Sequence, residues 1–331
     1  MTGGLSYHLT KDDQYKDLDV KKAMTREAWS MTLLELAEEY PEIVVLSADL
    51  LKATLANRFS DQYPERSFNV GVAEQDLVGV AAGLALTGKI PVVATFSVFL
   101  LMRACEQVRT DICYPKLNVK LVGTAGGFSF GLGGVTHATT EDLALARALP
   151  NMVVLVPSDY LETTLAMKAA IMHEGPVFIR VGRSAEPIIY AEECPFQIGK
   201  AILLNEGDDL TLIACGALVF EALRAASILS SKGIHARVLD MHTLKPLDKE
   251  AVVQAAQETK AILTLEEHTV IGGLGGAVSE VLAEAGIGTR FMRLGLPDIF
   301  ATEGNADFLR AHYKLDARGI TEQAVSLLEK K

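Results

Sequence analysis

Residues 69–86 read NVGVAEQDLVGVAAGLAL, and this run decides how the rest of the chain is interpreted. A single glutamate, Glu74, opens a helix whose other residues are almost all small or apolar. Gly79 and Gly83 keep the apolar face of this helix thin. A carboxyl group buried at such a position is costly unless another group pairs with it. Glu74 therefore either pairs with a ring nitrogen of a bound cofactor or complements the positive end of the helix dipole.

Composition limits the class of protein. The chain has 331 residues, which favours two domains of ordinary size. Hydrophobic residues make up 49% of the chain and aromatic residues only 6%, a balance typical of helices that cover buried parallel strands. The formal charge of −11 argues against a nucleic acid or an anionic membrane as the main partner. It leaves anionic substrates open, because a local cluster of arginines can override the net charge.

The sequence carries no sign of export or membrane insertion. Residues 1–22 are polar and lack the apolar segment of a secretory signal, and no apolar run is long enough to cross a bilayer. We therefore expect a cytoplasmic protein. The cysteines show no metal-binding spacing and are expected to be buried thiols in a reducing compartment. They are Cys105, Cys113, Cys194 and Cys215.

Helices and strands alternate from Ala23 to the end of the chain. Predicted helices cover residues 24–40, 51–63, 74–87, 99–113, 141–149, 159–173, 217–231, 248–258, 274–285 and 317–328. Predicted strands cover residues 43–46, 91–96, 118–122, 152–156, 177–181, 210–215, 236–239, 261–265 and 289–294. This alternation predicts an α/β fold of two domains, each a mostly parallel sheet covered by helices. The predicted division is a flexible N-terminal extension (1–22), a first domain (23–184), a linker (185–198) and a second domain (199–331).

The run that begins near Asn69 closely resembles the glutamate segment of thiamine-diphosphate enzymes of the transketolase group. The wider resemblance extends from about Ala23 onward, and the chain resembles the separately encoded C-terminal half of a split transketolase. The resemblance implies a pyrimidine-binding domain followed by a transketolase C-terminal domain. In that family the matching glutamate contacts N1′ of the cofactor's aminopyrimidine and tunes its proton, so Glu74 is predicted to be catalytic.

The resemblance also assigns residues around the cofactor. Phe96 and Phe99 match the aromatic residues that enclose the aminopyrimidine, and Met102 stands where the family often has another aromatic residue. Asp49 and Leu50 match a residue near the cofactor and the residue that props the thiazolium. Two structural alternatives stay open at this point: the two phenylalanines belong to the ordinary core, and Asp49 caps the next helix.

Three further residues match substrate-binding positions. His137 closes a glycine-rich loop and matches the histidine that reaches the hydroxyl groups of the donor ketose, which makes it a second predicted catalytic residue. Arg26 and Arg183 match arginines that bind the phosphate of the acceptor sugar. The alternatives are a histidine that caps the next helix, a solvated arginine in a first helical turn and an arginine in a linker ion pair.

Several positions depart from the family pattern. The family has a serine in place of Ala53 and a histidine in place of Ala125, and both bind phosphate. It has an acidic pair in place of Leu132 and Gly133, and a glutamine in place of Ala138. Each lost hydrogen bond to a phosphate is worth on the order of 1.5–3 kcal/mol. The acceptor therefore stays open among a phosphorylated sugar, a sugar with another anion and an unphosphorylated sugar, and a degenerate site is the remaining alternative.

The chain lacks the Gly-Asp-Gly…Asn motif that holds Mg²⁺ and the diphosphate in this family. We therefore expect it to be inactive alone and to need an N-terminal, diphosphate-binding subunit that supplies the Mg²⁺ site. The expected assembly is a heterotetramer of two such pairs (α2β2) with the cofactor at the interface. The stretch Glu266-Glu267-His268 followed by Gly272-Gly273-Leu274-Gly275 also resembles the family, where it supports packing of the C-terminal domain.

The predicted function is transfer of a two-carbon ketol unit from a ketose or ketose phosphate to an aldose acceptor. Two enzyme alternatives share the glutamate and the domain order: the β subunit of a 2-oxoacid dehydrogenase E1 component and a deoxyxylulose-phosphate-synthase-like subunit. An alternative of another class is a non-catalytic regulatory or interaction subunit, which the departures in the loop favour and which Glu74, Phe96 and His137 oppose.

Overall fold

The structure is a computed structural model that describes residues 20–329. Most of the predicted N-terminal extension, residues 1–19, lies outside the described residues. The strands are β1 (Lys22–Met24), β2 (Ile43–Ser47), β3 (Ser67–Asn69), β4 (Ile90–Phe96), β5 (Lys120–Thr124), β6 (Val153–Leu155), β7 (Val177–Arg180), β8 (Ala185–Pro187), β9 (Ile202–Asn205), β10 (Leu210–Ala214), β11 (Ala236–Asp240), β12 (Thr243–Lys245), β13 (Ala261–Thr269) and β14 (Arg290–Leu296). The α-helices are α1 (Thr25–Glu39), α2 (Leu51–Thr54), α3 (Asn57–Gln62), α4 (Glu74–Leu86), α5 (Cys105–Gln107), α6 (Asp142–Ala148), α7 (Tyr160–Met172), α8 (Leu218–Ser231), α9 (Lys249–Glu258), α10 (Leu274–Glu284), α11 (Ala306–His312) and α12 (Ala317–Glu329).

The first sheet has seven strands in the order β12-β6-β7-β5-β4-β2-β3. Its strands run parallel except for β12, which is antiparallel to β6. Strands β2 and β5 are buried at every position, as expected of parallel strands covered by helices on both faces. The carboxyl ends of β2, β4, β5 and β7 consequently lie along one edge of the sheet, where open α/β folds bind their ligands.

The second sheet has five strands in the order β14-β13-β10-β11-β9. Four of them run parallel, and β9 lies antiparallel to β11 at one edge. The prediction of two domains with mostly parallel sheets is confirmed.

The two halves of the chain share a sheet edge and a core. Strand β12 comes from the second half of the sequence but pairs with β6 of the first sheet. The backbone N–H of Val156 also donates to the carbonyl of His242 at 2.7 Å. One apolar cluster joins Leu143 of α6 to Leu274 and Val278 of α10. Because apolar side chains from both halves are removed from water together, the two halves stabilise each other.

Buried charges reinforce this contact. Arg310 of α11 donates from Nη2 to both carboxylate oxygens of Glu186 at 3.1 Å and from Nε to Glu267. Arg180 of the first half donates from Nε to Asp142 of the same half at 2.9 Å and from Nη2 to the backbone carbonyl of Glu267 in the second half at 3.0 Å. The side chains of Arg180 and Asp142 are almost completely buried. Removing one member of such a pair leaves an uncompensated buried charge and is strongly destabilising.

The structure differs from the predicted elements where segments are short. Strand β1 begins at Lys22, inside the predicted extension, and pairs with β8, which lies inside the predicted linker. Both strands have only three residues, too few to show an alternating pattern in the sequence.

The predicted helix over residues 99–113 is wider than an α-helix at both ends: Phe99–Arg103 and Val108–Cys113 are π-helical. Such π-helical turns occur frequently at functional sites.

Candidate active site

The predicted site residues converge at the carboxyl edge of the first sheet. Asp49 and Leu50 follow β2, Phe96 ends β4, His137 lies in the loop after β5, and Arg183 follows β7. Strands β2, β4, β5 and β7 are direct neighbours in that sheet. The topology therefore places at one edge residues that are separated by more than 130 positions in the sequence.

Three phenylalanine rings surround the imidazole of His137. Its ring centroid lies 5.9 Å from that of Phe96, 5.5 Å from that of Phe99 and 5.3 Å from that of Phe130. All three contacts are edge-to-face, the arrangement that aromatic quadrupoles favour. Phe96 is buried and Phe99 partly buried, so the rings form an apolar wall at the sheet edge.

Glu74 begins α4 and is only 1% exposed. Its Oε2 accepts from Nη1 of Arg103 at 2.6 Å. The guanidinium of Arg103 also lies over the ring of Phe99, with Cζ 4.4 Å from the ring centroid. A chain of direct contacts thus runs from Glu74 through Arg103 and Phe99 to His137.

Thr136 holds the imidazole of His137 at Nδ1. The hydroxyl of Thr136 lies 3.1 Å from the carbonyl oxygen of Gly133 and 2.8 Å from Nδ1 of His137. When the hydroxyl donates to the carbonyl, its oxygen accepts from Nδ1–H, and Nε2 is a hydrogen-bond acceptor. When the hydroxyl donates to Nδ1, Nε2 carries the proton and is a donor.

Two guanidinium groups lie next to this wall without a carboxylate partner. Cζ of Arg183 lies 3.9 Å from the ring centroid of Phe130 and 6.0 Å from that of Phe96. Arg26 donates from Nη1 to the carbonyl of Ala53 at 2.9 Å, while its Nε is buried without a hydrogen-bond acceptor. Burial lowers the pKa of Arg26, and the neighbouring charge of Arg183 lowers it further. Within residues 20–329 neither arginine forms an ion pair.

The remaining predicted residues are placed as follows. Leu50 packs against the apolar cluster around Phe96. Asp49 has a left-handed backbone (φ +60°) and exchanges hydrogen bonds with Asn69, so the alternative that Asp49 caps α2 is wrong. The residue at the cap position is Leu50, and no side chain caps that helix. Met102 is 42% exposed and lies outside the cluster.

The glycine-rich loop accounts for one departure from the family pattern. A Cβ atom built on Gly133 would lie 2.7 Å from Cβ of His137, closer than real Cβ contacts allow. An acidic side chain at this position is therefore incompatible with the present placement of His137. Ala125 has a left-handed backbone (φ +59°) and is fully buried in the cluster that contains Phe96. A buried methyl group thus stands where the family has a phosphate-binding histidine.

The second domain supports this loop. Glu267 accepts from the backbone N–H of Phe128 at 3.1 Å, and the backbone N–H of Gly304 donates to the carbonyl of Gly131 at 3.4 Å. His268 accepts at Nε2 from the backbone N–H of Ala144 at 3.2 Å. The Glu266-Glu267-His268 stretch thus connects the C-terminal sheet to the segment that carries His137.

Comparison with known proteins identifies the family. The family model described as transketolase, pyrimidine binding domain, matches residues 21–187, and the one described as transketolase, C-terminal domain, matches residues 199–320. The chain belongs to the transketolase family. Membership in the transketolase family implies thiamine diphosphate as the cofactor.

Transketolase relatives match this chain over nearly their whole length. A 6-deoxy-6-sulfo-D-fructose transketolase subunit from Clostridium sp. (strain MSTE9) is 41% identical over 95% of this chain and 98% of that protein. An apulose-4-phosphate transketolase subunit from Phocaeicola vulgatus is 40% identical over 92% of this chain and 97% of that protein. A solved structure described as a split gene transketolase, inactive beta4 tetramer, is 45% identical and has a TM-score of 0.84, with 93% of this chain and 99% of that chain covered.

The described residues fit the aminopyrimidine part of thiamine diphosphate. The fit consists of a buried carboxylate, Glu74, that is joined through Arg103 to the face of Phe99, which in turn contacts Phe96. Within residues 20–329 no group of three or more His, Cys, Asp or Glu side chains is arranged to hold a metal ion. In the same part of the chain, no helix combines the length and apolarity needed to span a membrane.

Two residues of the site were not predicted from the sequence. Phe130 contacts both His137 and Arg183, and Arg103 pairs with Glu74. Phe130 lies in an irregular loop, and Arg103 is 29 positions from its partner. Neither residue belongs to a motif, so only the folded chain reveals their contacts.

Proposed function

We propose that this chain is the C-terminal subunit of a split transketolase, which transfers a two-carbon ketol unit from a ketose to an aldose acceptor. The observation that carries the proposal is the buried carboxylate of Glu74, which Arg103 connects to the phenylalanine wall that holds His137. A buried carboxylate next to a flat apolar surface suits a heterocycle that offers both a ring nitrogen and an aromatic face.

Each residue of the wall has a role in this proposal. Thiamine diphosphate, when bound, supplies the carbanion chemistry that breaks and forms the C–C bond. Glu74 holds a proton at the ring nitrogen that it contacts, and its burial strengthens that hydrogen bond. Phe96 and Phe99 position the ring and exclude water from it. Leu50, which packs against the same cluster, supports the neighbouring part of the cofactor.

His137 binds the hydroxyl groups of the sugar. In the tautomer whose Nδ1–H donates to Thr136, Nε2 accepts a hydrogen bond from a substrate hydroxyl group. The edge-to-face contacts with Phe96, Phe99 and Phe130 hold the imidazole ring in place, so little freedom is lost when a substrate binds.

Arg26 and Arg183 bind an anionic group on the substrate. Two neighbouring guanidinium groups without carboxylate partners repel each other, and an anion between them relieves this repulsion. The unpaired Nε of Arg26 offers one donor for that anion. The relatives named above act on a sulfonated and a phosphorylated sugar, and both groups offer the oxygen acceptors that guanidinium groups recognise.

The complete site requires a second chain. An N-terminal, diphosphate-binding subunit supplies the Mg²⁺ ligands, and two copies of each chain form an α2β2 assembly. The absence of a Gly-Asp-Gly…Asn motif supports this requirement. The relative solved as an inactive assembly of β chains alone also supports it.

Ketol transfer by the reconstituted pair of chains tests the proposal. The chain is mixed with the candidate N-terminal subunit, thiamine diphosphate and Mg²⁺, and aldehyde release is measured from phosphorylated, sulfonated and free ketoses. We expect turnover by the pair and none by either chain alone. Consumption of pyruvate without cleavage of any ketose would favour a 2-oxoacid dehydrogenase or deoxyxylulose-phosphate-synthase activity. Cofactor binding without turnover of either substrate class would favour a non-catalytic role.

A further inference from the structure

Arg103 occupies two contacts that the proposed cofactor ring requires. Its Nη1 donates to Oε2 of Glu74 at 2.6 Å, and its guanidinium lies over Phe99 with Cζ 4.4 Å from the ring centroid. An aminopyrimidine bound at this site would use the same carboxylate and the same aromatic face. The guanidinium resembles such a ring because it is planar, carries N–H donors and stacks on aromatic surfaces.

We propose that Arg103 holds the place of the aminopyrimidine when the site is empty and moves out when the cofactor binds. This inference rests on the proposed function. The carboxylate of Glu74 is 1% exposed, and without a partner it would carry the full cost of a buried charge. Arg103 provides that partner and keeps Glu74 in position before the cofactor arrives.

The local structure permits the exchange. The side chain of Arg103 is 48% exposed and ends a π-helical turn, Phe99–Arg103, at the rim of the site. The backbone N–H of Ala104 closes this turn on the carbonyl of Phe99 at 3.3 Å, and the wide turn brings Arg103 above the ring of Phe99. A long, half-exposed side chain can turn into solvent without repacking the buried core.

The exchange has a thermodynamic consequence. Cofactor binding to the wild-type assembly must first separate Arg103 from Glu74, so the ion pair weakens the observed affinity. An Arg103→Met change removes this competition and leaves Glu74 without a partner in the empty site. The dissociation constant for thiamine diphosphate should then fall on the order of tenfold, the size expected for a lost charge-assisted hydrogen bond. The empty chain should also unfold at a lower denaturant concentration than the wild type.

The test is calorimetric titration of thiamine diphosphate with Mg²⁺ into the reconstituted pair of chains. Four versions are compared: wild type, Arg103→Met, Arg103→Lys and Arg109→Met. Arg109 is exposed on the following helical segment and controls for the loss of one positive charge. Lysine keeps the charge but lacks the planar group, so Arg103→Lys should have an intermediate dissociation constant.

The outcomes separate this inference from the proposed function. Tighter binding by Arg103→Met, with Arg109→Met equal to the wild type, supports the inference. Unchanged or weaker binding by Arg103→Met overturns it, because a residue that only stabilises the site would lower the affinity when removed. If Arg103→Met does not assemble, Arg103→Lys decides by the same criterion. A wild-type pair that associates but binds no cofactor overturns both proposals.

Discussion

At the residue scale, the central feature is a carboxylate whose burial needs an explanation. Glu74 is 1% exposed at the first position of α4, and Arg103 is its partner in the isolated chain. The sequence indicated that Glu74 is special, because one acidic residue opens a run of small and apolar residues. It could not indicate Arg103, whose contact depends on how the π-helical turn after β4 lies against the start of α4.

A Glu74→Gln change tests the proposed catalytic role. Glutamine keeps the shape of the side chain but cannot hold a proton as a carboxylate does. We expect turnover by the reconstituted pair to fall by about 10²–10⁴, the range for a lost acid–base contribution. Asp76→Asn is the matched control, because Asp76 lies exposed in the first turn of the same helix. A Glu74→Gln enzyme as fast as the wild type would remove Glu74 from the mechanism.

An Arg26→Met change tests the anion site. We expect the KM for an anionic ketose or aldose to rise on the order of tenfold or more, since a charge-assisted hydrogen bond is lost. The KM for the matching uncharged sugar should stay the same. Lys52→Met controls for the loss of one positive charge, because Lys52 is exposed on α2. Equal changes in KM for charged and uncharged sugars would contradict an anion-binding role.

At the element scale, the loop between β5 and α6 connects His137, the proposed sugar-binding residue, to the second domain. Glu267 binds the backbone of Phe128, and Gly304 binds that of Gly131, so the loop that presents His137 is held from the C-terminal side. The sequence predicted the loop and its histidine. It did not predict the contacts of Phe130 or the hydrogen bonds from the second domain to the loop, because irregular loops carry no periodic pattern and their contacts come from distant segments.

A Gly133→Ala change tests whether the loop geometry positions His137. The added Cβ would lie 2.7 Å from Cβ of His137, so the imidazole must shift. We expect kcat/KM for the donor ketose to fall on the order of tenfold, comparable to the loss of one hydrogen bond. The affinity for thiamine diphosphate should fall less than kcat/KM, because the loop reaches Glu74 only indirectly, through His137, Phe99 and Arg103. Gly288→Ala is the control, since a Cβ there has no atom within 4 Å. An unchanged kcat/KM for the donor ketose would contradict the claim that the loop geometry positions His137 for the reaction.

At the scale of the whole molecule, the two halves behave as one unit because strands, core and buried charges are shared. The alternation of helices and strands was sufficient to predict both sheets. It could not show that β12 of the second half completes the first sheet, since three residues carry too little pattern. The predicted linker also contains Glu186, which binds the buried Arg310.

A pair of buried carboxyl groups makes the contact between the two halves of the chain sensitive to pH. Glu162 of α7 and Asp240 of β11 lie close enough to influence each other's protonation, and each has one buried carboxyl oxygen without a hydrogen-bond partner. A proton on one of the two groups removes the repulsion between two buried charges. Burial raises the pKa of Asp240 to about 7 and, together with the charge of Asp240, raises that of Glu162. The surrounding titratable groups are Asp159, Tyr190 and Cys194.

The folded chain therefore keeps a proton that the unfolded chain releases near pH 4. The free energy of unfolding should fall as the pH rises from about 4 through 7, by up to about 1.4 kcal/mol per pH unit for one proton. Asp240→Asn removes one of the two interacting carboxyl groups, including its effect on Glu162, and should flatten this dependence. Denaturant unfolding at several pH values measures it, with Asp61→Asn on the surface as the control. An equally steep dependence in Asp240→Asn would contradict the role of this pair of carboxyl groups.

The central claim is that this chain provides one side of a thiamine-diphosphate site that a second subunit completes. Calorimetric titration of thiamine diphosphate with Mg²⁺ into this chain, into the candidate N-terminal subunit and into their mixture tests it most directly. We expect saturable binding in the mixture and none to this chain alone. Equal binding to this chain alone, or no binding to a mixture whose chains are shown to associate, would contradict the claim.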